Sequence, residues 1–330
     1  MSWDMRFHSP GLESATTELW WQIARACEYA TFFHTPLWHQ LVTKSYPGYQ
    51  DASLQFTPDA DRTLILPLLK VSKRPSPISV YLSSFAGCYG GFISDAHLEA
   101  EVLEAAWKAI LGWRFGKIQL TGNPISPFNP GNHLFQNVAR DFSHLLLLDR
   151  KYEALLSEFS KGHRSSIRRG LRLGVQVREA ASLDDYRSYY QIYQDTLRRW
   201  ADKATSRYPW GLFENGYKLS QKYPGQIRLW VAEVPGKMIA GAWVFYWNQH
   251  VVWWHGASLE AYFDYYPNNV LQAMIIQDAV ERGYHYYDFN PSGGHEGVVR
   301  FKRSHGAQEY HVNRYTYGNF FYRQVDHWRA

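Results

Sequence analysis

The chain has 330 residues, 45% of them hydrophobic and 17% aromatic, with 35 basic against 30 acidic side chains for a formal charge of +5. That length predicts two domains of roughly 150 residues each, and so small a charge excess argues against a binder of bulk nucleic acid and leaves DNA out as a partner. The two cysteines, Cys27 and Cys88, make neither a metal pattern nor a disulfide framework, which suggests a reducing compartment. The N-terminal MSWDMRFHSPGLES lacks the basic start and apolar core of a signal peptide. The longest aliphatic run, Leu145–Leu148, is far below the ~20 residues of a membrane span, so the expected location is cytoplasmic.

Taken in order, Glu13–Tyr29 has the spacing of an amphipathic helix (Leu19, Trp20, Ile23, Ala24), and Pro36–Lys44 predicts a second. ASLQF, a turn at PDADR and TLILPLLKV read as a hairpin, with Pro67 bending its second strand or marking an edge. A loop with Pro75 and Pro77 leads to the strand SVYLSSF and the glycine-rich GCYGG. Residues 95–112 are helical in pattern, and FGKIQLTG closes the half as a strand. The second half repeats the order. Helices are predicted at 184–200 and 209–221, then a hairpin from IRLWVAEV and MIAGAWVFYW, and the strand HVVWWHGAS. The next helix is capped by Asn268 or Asn269 and buries Val270, Leu271, Met274 and Ile275; Gly283 ends it, and the strand YHYYDF follows. The match is one of element order, not of residues. It predicts two α/β modules of mixed sheets, 1–144 and 145–330, with a ligand cleft between them. A tail strand over 307–330 is free to pack on either module.

Two basic stretches stand out. In FSKGHRSSIRRGLRLGVQV, Arg164, Arg168 and Arg172 are four residues apart and form one stripe of a helix, with Ile167 and Leu171 facing the core. Guanidiniums so arrayed suit a phosphate-bearing ligand; a solvated face is the plainer alternative. GHEGVVRFKRSHG gathers Arg300, Lys302 and Arg303 around an apparently core-facing Phe301, either as rim charge on a turn or as a site for negative charge that develops in a reaction. Trp254, on the strand HVVWWHGAS, could stack on a ligand ring, whereas Trp253 suits the core. Fourteen histidines include His163, His255, His295 and His305, yet they show no paired metal-ligand spacing, and no metal site is expected. Neither GxSxG nor a cysteine–histidine arrangement is present.

With these segments assembled, the chain resembles the Fem-type transferases that build peptidoglycan cross-bridges, within the wider group of GNAT-like tandem proteins. SKGHRSSIRRGLRLGVQV is similar to that family's basic helix and following strand. The segment from Tyr265 through YYDF to RFKRSHG is similar to its capped helix, acidic strand end and closing FK turn, and LPLLK with YGG resembles its first module. The resemblance implies tandem GNAT-like domains and transfer of an acyl or aminoacyl group to an amine, without a tightly bound cofactor. The donor would be aminoacyl-tRNA or acyl-CoA. The acceptor would be a phosphate-bearing cell-envelope precursor or a sugar amine, in the cytoplasm or at a membrane surface.

By that resemblance Lys302 is the catalytic cation, Arg207 in SRYP grips acceptor phosphate, and Lys44 is a second phosphate ligand. Asp288 is either a proton acceptor or a bracket for Lys302 or Arg303, and Glu296 is a first-turn carboxylate more than a base. Tyr266, Asn268 and Arg303 complete the substrate-binding set with Arg164, Arg168 and Trp254. EAYFDYYPNNVLQ has no glycine where acyl-CoA enzymes place a glycine-rich turn at a helix start, which favours aminoacyl-tRNA or another carried acyl group. NPSGG also departs from the family's Gly-Gly after the strand acid. The alternatives are a CoA-dependent N-acyltransferase of polysaccharide synthesis and a non-catalytic module that binds phosphorylated glycan or nucleic acid.

Overall fold

The computed structural model describes residues 11–72, 79–83, 85–111, 116–201, 204, 207–291, 296–320 and 322. The chain divides into two compact units, residues 1–141 with 311–330 and residues 142–310. Each is an α/β unit with a mixed sheet.

The first unit opens with β1 (Leu12–Ser14) and α1 (Thr17–Ala26), whose Thr16 cap accepts from the Leu19 amide. Helix α2 (Pro36–Ser45) begins with proline at its first turn and Thr35 as cap, a pairing that needs no donor from the proline. Strands β2 (Tyr49–Asp51), β3 (Leu54–Phe56), β4 (Leu64–Leu66), β5 (Leu69–Val71), β6 (Val80–Leu82) and β7 (Ile93–Ser94) follow, then α3 (Ala100–Ile110) and β8 (Lys117–Thr121). The expected hairpin is β3 with β4. Pro67 does more than bend its second strand. It separates β4, which pairs β3 and β7, from β5, which pairs β2 and β6 in a different sheet. The loop residues Pro75 and Pro77 lie outside the described residues. Trp107, Leu66, Ile118 and Tyr315 are among the core side chains.

Strand β9 (Asn137–Leu147) leads into the second unit, which continues with α4 (Tyr152–Glu158), α5 (Lys161–Arg172), β10 (Gln176–Glu179), α6 (Leu183–Trp200), α7 (Trp210–Lys222), β11 (Ile227–Val234), β12 (Lys237–Trp247), β13 (His250–Ser258), α8 (Pro267–Glu281), β14 (Tyr286–Asp288) and α9 (Glu296–Arg303). The strand order here is β10-β11-β12-β13-β14-β9. Helix α8 covers one face through Val270, Leu271, Ile275 and Ile276, which pack on Val244, Tyr246, Val251 and Tyr287. The final strand β15 (Gln308–Gly318) pairs β8 through Arg314–Gly318.

Both units contain one crossover of the same form. In the first, β6 and β8 are parallel over three residue pairs, with α3 between them in the chain. In the second, β13 and β14 are parallel over three pairs around α8. The duplicated element order of the sequence is thus a duplicated strand–helix–strand unit.

The other face of the second sheet carries α6 and α7. Close approach there depends on glycine: a Cβ on Gly216 of α7 would stand 2.0 Å from the Trp243 ring. Gly216→Ala is expected to destabilise the protein by about 1–3 kcal/mol through overpacking, read as a lower urea midpoint at unchanged slope. A wild-type midpoint would mean that the Trp243 ring moves aside freely.

Candidate active site

The second unit has a place where its sheet opens. Strands β13 and β14 pair only as His250 with Tyr286, Val251 with Tyr287 and Val252 with Asp288. Beyond this β13 runs on to Ser258 against β12, while the chain after Asp288 turns away. A bulge beside Trp243 and Val244 shifts the register so that Val244 faces Trp253 and Trp243 faces His255. Direct partners share a face of a sheet, and the register Phe245–Val252, Trp243–His255 and Val252–Asp288 therefore puts Val252, His255 and Asp288 on one face, under α6 and α7. In the first unit the corresponding strand end is occupied: after β6 the chain returns and Tyr89 bridges Thr121 of β8.

Asp288 is fully buried. Its Oδ1 accepts from Ser143 Oγ at 2.9 Å and from the Asn290 amide at 2.7 Å, and its Oδ2 lies 3.0 Å from His250 Nε2. The groups it holds here are thus Ser143, His250 and Asn290, where the sequence offered Lys302 or Arg303. Asn290 sits in the left-handed region at φ 58°, which asparagine tolerates better than most residues. Its Nδ2 donates to the Trp253 carbonyl at 3.3 Å, across the opening. Its own carbonyl accepts from Lys302 Nζ.

Lys302 is 2% exposed. The expected FK turn is the last turn of α9, and the burial order is the reverse of the expectation: Lys302 is buried and Phe301 only half-buried, its ring against Trp253, His163 and His305. The apolar stem of Lys302 is covered while its ammonium reaches a carbonyl, which is how a buried lysine is tolerated. Glu296 opens α9, and Arg303 pairs with Glu309 at 2.8 Å on the surface. His295 and the Ser-Gly-Gly of NPSGG lie outside the described residues.

The other predicted residues are placed as follows. Arg164 donates to the Ser157 carbonyl, whereas Arg168 and Arg172 are exposed and form no ion pair among the described residues. Leu171 does not face the core but is 50% exposed; Ile167 and Gly170 make the buried seam instead, with Gly170 tight against Val270 and Tyr265. Arg207 is exposed and donates to the Ala201 carbonyl at 3.1 Å. Trp254 packs among Tyr208, Trp243 and Phe245. Helix α8 starts at Pro267 after a left-handed Tyr266 at φ 54°, not at an asparagine cap. Tyr266 takes the Arg169 guanidinium on its ring and hydroxyl, Asn268 donates to Ser258 Oγ at 3.1 Å, and Asn269 bonds His163. A 3₁₀ segment, Glu260–Tyr265, stands where a glycine-rich turn would lie. Lys44, in the first unit, is exposed in the last turn of α2.

Sequence reasoning missed two histidine clusters, because the partners lie far apart along the chain. His163 of α5 and His305 have ring centroids 4.0 Å apart, and His163 bonds Asn269 and Ser304. His255 bonds Tyr189 of α6 at 2.6 Å. Burial pushes His163 down to about 4, His255 down to about 3, and His305 well below the ordinary histidine range. His144, sealed beside Lys302, is lowered first by burial and then by that ammonium.

These rings fold neutral. Between pH 6.5 and about 4 the unfolded chain takes up a proton at His163 that the folded chain refuses, so stability falls on acidification, by up to about 3 kcal/mol for this one group. Urea unfolding at pH 7.5 and pH 4.5 should show the loss, and His163→Gln should flatten it. An unchanged slope in that variant would place the acid sensitivity elsewhere. Among the described residues no group of three or more His, Cys, Asp or Glu could hold a metal, and no helix is long and apolar enough to cross a membrane.

Residues 157–303 match the family model described as an acetyltransferase (GNAT) domain. The crystal structure of FemX superposes with a TM-score of 0.68 at 14% identity, covering 92% of this chain and 96% of FemX. The C-terminal domain of an Agrobacterium fabrum protein provisionally assigned as a lysylphosphatidylglycerol synthetase gives a TM-score of 0.56 at 12% identity, with 94% of each chain covered. A tandem GNAT protein from the clavulanic acid biosynthesis pathway gives 0.51 at 10% identity, covering 82% of this chain and 84% of that one. No curated protein sequence matches the chain significantly. At these identities the superpositions speak for the fold, and the family match for the domain that contains α5, β13, Asp288 and Lys302. Residues 157–303 thus match an acetyltransferase (GNAT) domain, and the chain that contains them shares the fold of FemX.

Proposed function

We propose that the protein transfers an acyl or aminoacyl group to an amine and forms an amide, with the second unit holding the reaction. The observation that carries this reading is the opening between β13 and β14 inside the matched domain. Past Val252 the strand β13 makes no further ladder pair with β14 among the described residues, which leaves room for a donor beside the held polar end at Asp288 and Asn290. Aminolysis of an ester or thioester passes through an oxyanion, and a water-poor site with fixed donors lowers that barrier. The donor is an aminoacyl-tRNA or an acyl-CoA. The absence of glycine between Glu260 and Pro267 favours the former.

The acceptor is proposed to carry phosphate, as a cell-envelope precursor does. Exposed Arg168 and Arg172, with Arg164 and Arg207 each anchored on one carbonyl and keeping further N–H groups, would bind it. Acetyl-CoA and alanyl-tRNA, each offered with a UDP-linked muropeptide or glucosamine, test the proposal by mass detection of an amide product. Product from one donor supports it, and no product from any combination overturns it. Arg168→Glu is expected to weaken acceptor binding about tenfold or more, with a shallower salt dependence than wild type. Unchanged affinity would make this stripe a solvated surface.

A further inference from the structure

We infer that His255 offers a neutral Nε2–H, locked by Tyr189, to the carbonyl oxygen of the group being transferred. The inference rests on the acyltransferase reading above and adds a residue to it. Tyr189 is fully buried, and its hydroxyl has one hydrogen-bond partner among the described residues, His255 Nδ1 at 2.6 Å. A buried phenol donates its hydrogen where an acceptor is offered, and among the described residues the acceptor within reach is the lone pair of that ring nitrogen. Nδ1 is therefore the acceptor, and the ring's hydrogen is on Nε2.

The ring is also fixed in place. Tyr193 meets it edge-on at 4.6 Å, with Tyr208, Phe213 and Trp254 around it. These neighbours, from α6, α7, the segment before α7 and β13 itself, are uncharged, and burial alone depresses its basicity. The ring is half-buried, and Nε2 is neither sealed in nor bonded to any described residue.

Its position supplies the function. His255 lies on β13 three residues past the last pair with β14, on the same sheet face as Asp288. A donor group lying along β13 past its last pair with β14 would bring its carbonyl past this ring. A neutral imidazole N–H strengthens its hydrogen bond as the carbonyl oxygen gains charge, and it neither attracts a proton away from the amine nor repels an ammonium. Lys302 is poorly disposed for that contact, since its ammonium is buried on the Asn290 carbonyl. In the proposed step the amine nitrogen bonds to the acyl carbon, and the carbonyl oxygen takes the electron pair under the His255 N–H. The pair then returns as the ester or thioester bond breaks, and the amine proton leaves to solvent or to the departing group.

Full-length protein labelled with ¹⁵N-histidine tests the tautomer without any substrate, the His255 signals being those lost in His255→Gln. The expected result is protonated Nε2, bare Nδ1 and a ring still neutral at pH 5. Tyr189→Phe should release the lock and bring an Nδ1–H population. A wild-type ring protonated on Nδ1, or an imidazolium at pH 6, overturns the proposal. The reaction arm measures hydroxamate formed from hydroxylamine with acetyl-CoA or alanyl-tRNA, above the uncatalysed rate. His255→Ala is expected to lose roughly 10²-fold in single-turnover rate, with His255→Gln, which keeps an N–H, losing less. Wild-type rates in a folded His255→Ala protein refute the role of His255. No hydroxamate from the wild type refutes the acyltransferase reading, and the role of His255 falls with it.

Discussion

Lys302→Met should lower single-turnover transfer by about 10²-fold or more, and it should also cost stability. Methionine keeps the length of the side chain and removes its charge. The Asn290 carbonyl would then be left without its ammonium donor inside the protein, a loss of about 1–3 kcal/mol for an unmet buried acceptor. Asn290 joins Asp288 to the Trp253 carbonyl across the opening, so loosening it displaces both strand ends. Lys302→Arg should rescue poorly, because a planar fork does not fit where one compact ammonium meets one carbonyl. Urea unfolding and single-turnover assays of both variants decide the matter. Full activity and stability in Lys302→Met would make this lysine incidental.

Asp288→Asn is expected to be comparably severe. The carboxylate accepts from Ser143, from the Asn290 amide and from His250 on its two oxygens. An amide group has only one acceptor oxygen, so its NH₂ must face either the hydroxyl and main-chain donors or the imidazole. The expected loss is about 3 kcal/mol for the donors left unmet, seen as a lower melting temperature, together with a fall in transfer. Retained stability would show that His250 turns over and accepts from the new amide, which ring reorientation would reveal in its ¹⁵N shifts.

Much of the architecture could be read along the chain because it is local. The 3.6-residue spacing of Leu19, Trp20 and Ile23 needs only its own helix, and so do the caps at Thr16 and Thr35. The basic helix was legible for the same reason. Leu171 was misjudged because periodicity gives a face without saying what covers it, and here Gly170 takes the close contact with α8. Lys302 was legible as a charge and not as a buried one. Lysines are rarely sealed unless a partner is supplied, and that partner is a main-chain carbonyl, which has no sequence signature. The His255–Tyr189 pair joins a strand to a helix 66 positions earlier, and the bulge beside Trp243 that shifts the register appears in no motif.

The brevity of β14 has a consequence of its own. Three residues are hardly enough to count as a strand, and Asn290, with φ at 58°, is what stops it from becoming longer. Had the backbone stayed extended, it would run on beside β13, and two parallel strands in reach of each other tend to zip. The gap beyond the last pair of β13 and β14 would then be an ordinary stretch of sheet. The end of β14 is thus set within two residues, by the left-handed Asn290 and by Pro291, which has no amide to give a ladder. A short strand end of this kind can be lengthened or moved by changing two neighbouring residues, without touching the core beneath it.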